Sequence, residues 1–339
     1  MSLLDHAPKF NIGEAVEILK SLYGMDVSAE ALASERDQNF LVVADTGERF
    51  VLKIANSLES RELLEAQNNA MDHLHSRGVL SATVVLSRSE NSISELVSLS
   101  GAKHYVRLVG YLPGVPFAKI KSQPKWLVEL GRTLGVLTKA LSSFDQTALH
   151  RDFHWDLANG LDVVDGYIAL VEPGELRSQV ERCVAEFKAL KLTALPCSVI
   201  HGDFNDYNII VDEESATLGV IDFGDMIYSY TVGELSVALA YAVLDEMDPL
   251  SVVSDVVCGY VSRWQLNADE VESVWPLMLM RLCMSVCLAA HQQAQQPGNA
   301  YLDISQRSIR GSLPGLLEID GSEVSKLIKR ICESKFVSG

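Results

Sequence analysis

Paired cysteines, a basic surplus and a long unbroken apolar run are all missing from this sequence, and each absence removes a class of protein. The six cysteines (Cys183, Cys197, Cys258, Cys283, Cys287 and Cys332) are scattered, with no Cys-x-x-Cys pair. The core is therefore expected to form without disulfides, and Cys283 and Cys287, four apart in an apolar stretch, read as small interior residues of a helix. Met1 to Lys9 has no basic start followed by an apolar run, so no secretory leader is expected. The longest apolar stretch, Pro276 to Ala290, is short for a bilayer and carries Arg281 in its middle. A soluble, cytoplasmic protein without a membrane partner is the expectation. Basic residues are few, 28 against 45 acidic ones, for a net charge of −17. Such a surface repels a phosphate backbone, which argues against a nucleic-acid partner and is compatible with a cationic small substrate. Repeats and low-complexity tracts are also lacking.

What remains is an ordinary globular composition, 48% hydrophobic and 22% charged over 339 residues, a length that suggests two lobes. Asn11 to Tyr23 has helical apolar spacing at Ile12, Val16, Leu19 and Leu22 and is closed by Gly24. Phe40 to Ala44 and Arg49 to Ile54 read as a β-hairpin around Asp45-Thr46-Gly47-Glu48. Ser60 to Arg77 reads as a helix ended by Gly78, and strands are expected around Thr83 to Leu86 and Tyr105 to Tyr111. After the hinge-like Pro113-Gly114 the character changes. Lys125 to Leu141 is helical, and the chain from Tyr230 onward is helix-rich. The expected division is a mixed N-terminal part, residues 1–112, and a larger, mostly helical C-terminal part, residues 113–339.

The most informative stretch is Val199-Ile200-His201-Gly202-Asp203, leading to Asn208-Ile209-Ile210-Val211. A polar turn follows, then a second strand, Thr217 to Ile221, ending in Asp222-Phe223-Gly224. Read as an antiparallel hairpin, this segment sets Asn208 and Asp222 opposite each other at one rim, with Asp203 in the loop approaching it. Two carboxylates and an amide converge there. Such oxygen donors suit Mg²⁺, which takes one or two protein ligands plus waters and phosphate oxygens. The remaining carboxylate is then available to accept a proton or orient a hydroxyl, the arrangement phosphoryl transfer needs.

His201-Gly-Asp203 with Asn208, followed by Ile221-Asp222-Phe-Gly-Asp225, resembles the signature of the aminoglycoside phosphotransferase and choline kinase superfamily. The fuller stretches His201 to Asn208 and Gly219 to Asp225 are most similar to hydroxylysine kinases and their bacterial relatives. Glu35-Arg-Asp-Gln-Asn-Phe40, Phe50-Val-Leu-Lys53-Ile, Tyr111-Leu-Pro-Gly114, and Asn299-Ala-Tyr-Leu302 with Ser305 support the likeness, which covers nearly the whole chain. The resemblance implies an α+β, protein-kinase-like fold of two lobes, the N-terminal one binding nucleotide and the C-terminal one catalytic and substrate-binding. It implies Asp203 as catalytic base or orienting carboxylate, Asn208 and Asp222 as Mg²⁺ ligands, and Lys53 on the α- and β-phosphates of ATP or GTP. A helix glutamate would steady Lys53: Glu65 is the choice, Glu62 the alternative. Read without the resemblance, Lys53 is a lone lysine in an apolar strand and a solvent-facing side chain fits it equally well. The segment that would cover the phosphates, Ser34 to Asn39, has no glycine, so Ser34, Asn39 and backbone N–H groups would have to meet them.

Other features compete for attention. His150-Arg151-Asp152 imitates a protein-kinase catalytic loop, yet Leu157 stands where an asparagine should. His150 and His154 lack a third metal ligand. A substrate-side role for Asp152, Trp155 or Asp156 is open. Arg281 reads as a satisfied or snorkelling core-edge residue. A protein kinase would need a long peptide-seating segment after Asp222-Phe223-Gly224, and little chain separates Gly224 from the helix expected near Val232. The acceptor implied is a small amine-bearing alcohol such as hydroxylysine, with homoserine, choline, ethanolamine or an aminoglycoside as alternatives. A non-catalytic nucleotide-binding regulator is the alternative of another class. Neither the nucleotide base nor the oligomeric state is readable.

Overall fold

The computed structural model describes residues 6–34, 36–99, 101–120, 123–188, 190, 192–295 and 306–336. Glu35, residues 299–302 and Ser305, which contribute to the resemblance, lie outside the described residues. The chain divides into two compact units, Met1–Pro113 and Gly114–Gly339.

In the first unit, helix α1 (Ile12–Tyr23) begins where Asn11 and Glu14 satisfy each other's backbone N–H groups in a capping box. It ends at Gly24, whose left-handed backbone (φ 70°) lets its N–H close on the carbonyl groups of Leu19 and Lys20. Strands β1 (Val27–Leu32), β2 (Gln38–Ala44) and β3 (Arg49–Ile54) follow, then α2 (Arg61–Ser76), N-capped by the Ser60 hydroxyl. Next come β4 (Leu80–Ser81), β5 (Val84–Val85), β6 (Ser94–Val97) and β7 (Lys103–Gly110). The sheet runs β1-β2-β3-β7-β5, with β6 also on β7, and every pairing is antiparallel.

Alternation divides its two faces. Phe40, Leu52 and Leu108 stand in one cross-strand row and, with Val42, Ile54 and Val106, pack on Ala15, Ile18 and Leu19 of α1. The neighbouring row, Asn39, Lys53 and Arg107, takes the opposite face. Arg107 is buried there and donates to the side-chain oxygens of Gln67 and Asn68 on α2. The sequence reading lacks β1 and β6. The alternating residues of Val27–Leu32 bury little and sit at a sheet edge, and Ser94–Val97 is short and half-exposed, so neither leaves an apolar run to read.

The second unit holds β8 (Val115–Pro116), α3 (Pro124–Leu141), α4 (Gly160–Tyr167), α5 (Glu175–Phe187), β9 (Cys197–Ile200), β10 (Ile209–Asp212), β11 (Thr217–Val220) and β12 (Ile227–Tyr230). Helices α6 (Gly233–Ala242), α7 (Pro249–Val261), α8 (Ala268–Gln295), α9 (Gln306–Leu317) and α10 (Gly321–Phe336) complete it. Helix α8 is long and apolar enough to cross a membrane, but 89% of its most apolar window is buried against the rest of this protein. It packs on α4, α5, α6, α9 and α10. Helices α3 and α7 cross with their backbones in contact. A Cβ on Gly131 would stand 1.8 Å from the Val256 carbonyl oxygen, and one on Gly259 would stand 2.0 Å from that of Val128.

The mixed α+β expectation is thus met, with an antiparallel sheet in the N-terminal unit and mostly helix in the larger C-terminal one.

Candidate active site

Two short ladders bring two loops together. Strand β10 pairs with β11 from Ile209↔Val220 to Asp212↔Thr217, and one further bond, from the Ile221 N–H to the Asn208 carbonyl (3.0 Å), extends the ladder to the rim. Strand β9 pairs with β12 from Cys197↔Tyr230 to Ile200↔Ile227. The chain between β9 and β10 (201–208) and the chain between β11 and β12 (221–226) therefore lie side by side. Their contact is close at Gly202, where a Cβ would come within 2.7 Å of the Asp225 carbonyl oxygen and where φ is 78°. Both facts call for glycine.

Asp203 is fixed by its neighbours in this loop. Its backbone carbonyl accepts from the Asn205 N–H (2.8 Å), and the Asn205 Oδ1 accepts from the N–H groups of Tyr207 (2.8 Å) and Asn208 (3.1 Å). The Asn208 Nδ2 donates both to the Asp203 carbonyl (2.9 Å) and to Asp203 Oδ2 (2.8 Å). Both amide protons thus point at Asp203, which leaves Asn208 Oδ1 as the atom able to meet a cation. His201, fully buried, ties this loop to the next: its Nδ1 accepts from the Asp203 N–H (3.3 Å) and its Nε2 donates to the Ile221 carbonyl (3.1 Å). Those roles define a neutral ring protonated on Nε2. The edges of Phe204 and Phe223 pack around it.

Asp222 follows the end of β11 with a left-handed backbone (φ 62°, ψ 80°), is exposed, and stands at the same rim as Asn208. A non-glycine residue held there is the kind of backbone strain that collects at working sites. An amide oxygen and a carboxylate at one rim fit a hard divalent cation that takes few protein ligands. Among the described residues no group of three or more His, Cys, Asp or Glu side chains is arranged to hold a metal by itself.

Arg281 corrects the sequence reading. It is satisfied, as expected, but it does not snorkel at a core edge: its side chain is 2% exposed, and its Nη2 donates to Asp203 Oδ1 (2.8 Å). The guanidinium lies over the Trp155 ring at 4.3 Å, and its Nε donates to the Tyr241 hydroxyl (3.4 Å). A cation buried so deeply needs a carboxylate, since leaving either partner alone would cost about 3–5 kcal/mol. Burial nevertheless pushes the Asp203 carboxyl up to about 6, with the Arg281 charge opposing the rise and Asp225 and Asp222 adding to it. Glu234, in the first turn of α6, was also not foreseen. It is completely buried and accepts the His201 N–H, and burial pushes its carboxyl up to about 7. Each residue leaves one trace in the sequence, a single charge within an apolar stretch.

The segment around His150 supports the loops from behind. Arg151 donates to the Gly224 carbonyl (2.9 Å), Asp152 accepts from Asn159 Nδ2 (2.9 Å), and Asp156 accepts from the Ser229 hydroxyl and the Ala158 N–H. His150 pairs with Asp145 (2.7 Å) and stacks on Tyr228. In the first unit, Lys53 lies at mid-sheet beside Asn39, whose Oδ1 is buried without a hydrogen-bond partner among the described residues. Ser34 lies between β1 and β2. Glu65, the glutamate expected to steady Lys53, pairs with Arg61 across one turn of α2 (2.8 Å), with both side chains well exposed.

Comparison with known proteins bears on family and fold. A family model described as the phosphotransferase enzyme family matches residues 28–251. A hydroxylysine kinase of Danio rerio is 31% identical over 344 residues, covering 96% of this chain and 97% of the relative. Among solved structures, an amicoumacin kinase in complex with AMP-PNP, Ca²⁺ and Ami superposes with a TM-score of 0.72 at 14% identity, over 93% of this chain and 97% of that one. A microcompartment-associated aminopropanol kinase gives 0.71 at 17% identity, over 96% and 98%. The last two show the fold; the family match and the near full-length relative show more, for with them this chain belongs to the phosphotransferase enzyme family.

Proposed function

We propose that the protein is a small-molecule kinase moving the γ-phosphoryl group of a nucleotide to the hydroxyl of a hydroxylated amino acid, hydroxylysine being the first candidate. The observation that carries this reading is the rim where Asp203, Asn208 and Asp222 meet. The near full-length likeness to a hydroxylysine kinase supports the acceptor class.

In this reading Asp203 receives the acceptor hydroxyl and orients its oxygen toward the γ-phosphorus. The new P–O bond forms as the bond to the nucleoside diphosphate breaks, and the hydroxyl proton passes to Asp203. Asn208 Oδ1 and the Asp222 carboxylate would hold Mg²⁺, which would supply charge neutralisation on the phosphate oxygens. Lys53, with Asn39 and Ser34, meets the phosphates of ATP or GTP. Asp225, near enough to Asp203 to raise its carboxyl, is the candidate to receive the acceptor's ammonium group.

The test is a phosphotransfer assay with both nucleotides, comparing 5-hydroxylysine, homoserine and ethanolamine with their acetylated or des-amino analogues. Removing the ammonium should lower kcat/KM on the order of 10²-fold or more. Asp203→Asn should lower kcat by roughly 10²-fold with little change in the KM for nucleotide. Equal turnover of amine and des-amino acceptors would sink the acceptor class, and an unaltered Asp203→Asn enzyme would sink the mechanism.

A further inference from the structure

Asp203 has a partner on each carboxylate oxygen. Oδ2 accepts from Asn208 Nδ2 (2.8 Å) and Oδ1 from Arg281 Nη2 (2.8 Å). These contacts come from separate parts of the unit, one from the loop itself and one from the middle of α8, 78 residues away. The other donors of Arg281 explain why an arginine stands there. Nη1 reaches the carbonyl oxygens of Trp155 (3.3 Å) and Gly202 (3.5 Å), and Nε reaches the Tyr241 hydroxyl (3.4 Å), while the guanidinium plane lies over the Trp155 ring. A lysine carries the charge but not a planar fork with several fixed donors.

We propose that Arg281 is a positioning residue of the phosphotransfer reaction: its guanidinium, held by Trp155, Gly202 and Tyr241, locks the plane and rotamer of the Asp203 carboxylate. With one direction of each oxygen occupied, the directions left over are fixed in space, and the acceptor hydroxyl meets a carboxylate that needs no reorganisation. In a reaction whose catalysis is mostly positioning, a carboxylate misplaced by about 1 Å costs on the order of 10²-fold. Arg281 is buried, so it touches neither acceptor nor donor and acts only through Asp203. This inference rests on Asp203 being the group that receives the acceptor.

The experiment is a double-mutant cycle. Arg281→Lys keeps the charge and should lower kcat by about 10²-fold while leaving the KM for nucleotide within about twofold. Tyr241→Phe, which deletes only the hydroxyl that anchors Nε, should lower kcat several-fold and provides the test if Arg281→Lys does not fold. In an Asp203→Asn background, measured by single turnovers, each substitution should have no further effect, because the group it positions is gone. Full multiplication of the two effects in the double variants, or kcat unchanged in both single variants, would overturn the proposal. An Asp203→Asn enzyme as active as the native one would instead remove the mechanism on which the proposal rests, so the two failures are distinguishable.

Discussion

Glu234 is a carboxylic acid with no solvent contact, and its environment favours the protonated form. A folded-state value of about 7, against an ordinary 4.5, means that in the interval between them the folded chain holds a proton the unfolded chain has released. Its contribution to stability is therefore complete below about pH 4.5 and is lost as the pH rises to 7, on the order of 3 kcal/mol across that interval. Glu234→Gln removes the titration and keeps an oxygen for the His201 N–H. From pH 5 to 7.5 the unfolding free energy of the native protein should fall relative to that of the variant, as measured by urea denaturation; parallel curves would refute the assignment. Asp203, Asn208 and Asp222 owe their positions to local spacing around one hairpin, where the register leaves little freedom. Glu234 and Arg281 were not legible because their partners lie on other elements, and a charge in an apolar helix does not name the group it will meet. The pairing of Glu65 with Arg61, one turn away on the same helix, is the ordinary i, i+4 contact of an exposed helix face.

Helix α3 shows the same limit for whole elements. Its apolar spacing marks Lys125 to Leu141 as a helix, and the structure has Pro124–Leu141, but nothing in that pattern says that Gly131 is where α7 touches. A methyl group at Gly131 must push the α7 backbone away. Gly131→Ala should cost about 3 kcal/mol despite the better helix propensity of alanine. Gly166→Ala in α4 is the control: it is exposed with open space around its Cβ, and it should be neutral or stabilising by up to about 1 kcal/mol. Urea midpoints at unchanged slope measure both, and equal effects would show that propensity rather than the crossing decides. Strands fared less well than helices. β2 and β3 announce themselves by apolar alternation, whereas β1 has too little burial to do so, and the segment expected at Thr83 to Leu86 pairs only at Val84–Val85.

Across the whole molecule the sequence conveyed the class of architecture, an antiparallel sheet followed by a mostly helical part. The apolar run around Arg281 was legible as a buried helix, and 89% burial of its apolar window agrees. What composition could not convey is how far apart in the chain the site's parts originate. Asn208 lies 5 residues from Asp203, so that contact can form as soon as the hairpin closes. Arg281 lies 78 residues from Asp203 and 126 from Trp155. Closing such loops carries an entropic cost repaid only once α8 has docked, and chains of this size commonly fold through partly ordered species. Catalytic competence should then be a late event in renaturation. On dilution from urea, phosphotransfer activity should return more slowly than the far-ultraviolet helix signal, and a common time course for the two would contradict this. The arginine that steadies the site thereby makes activity a readout of the final closure of the helical unit.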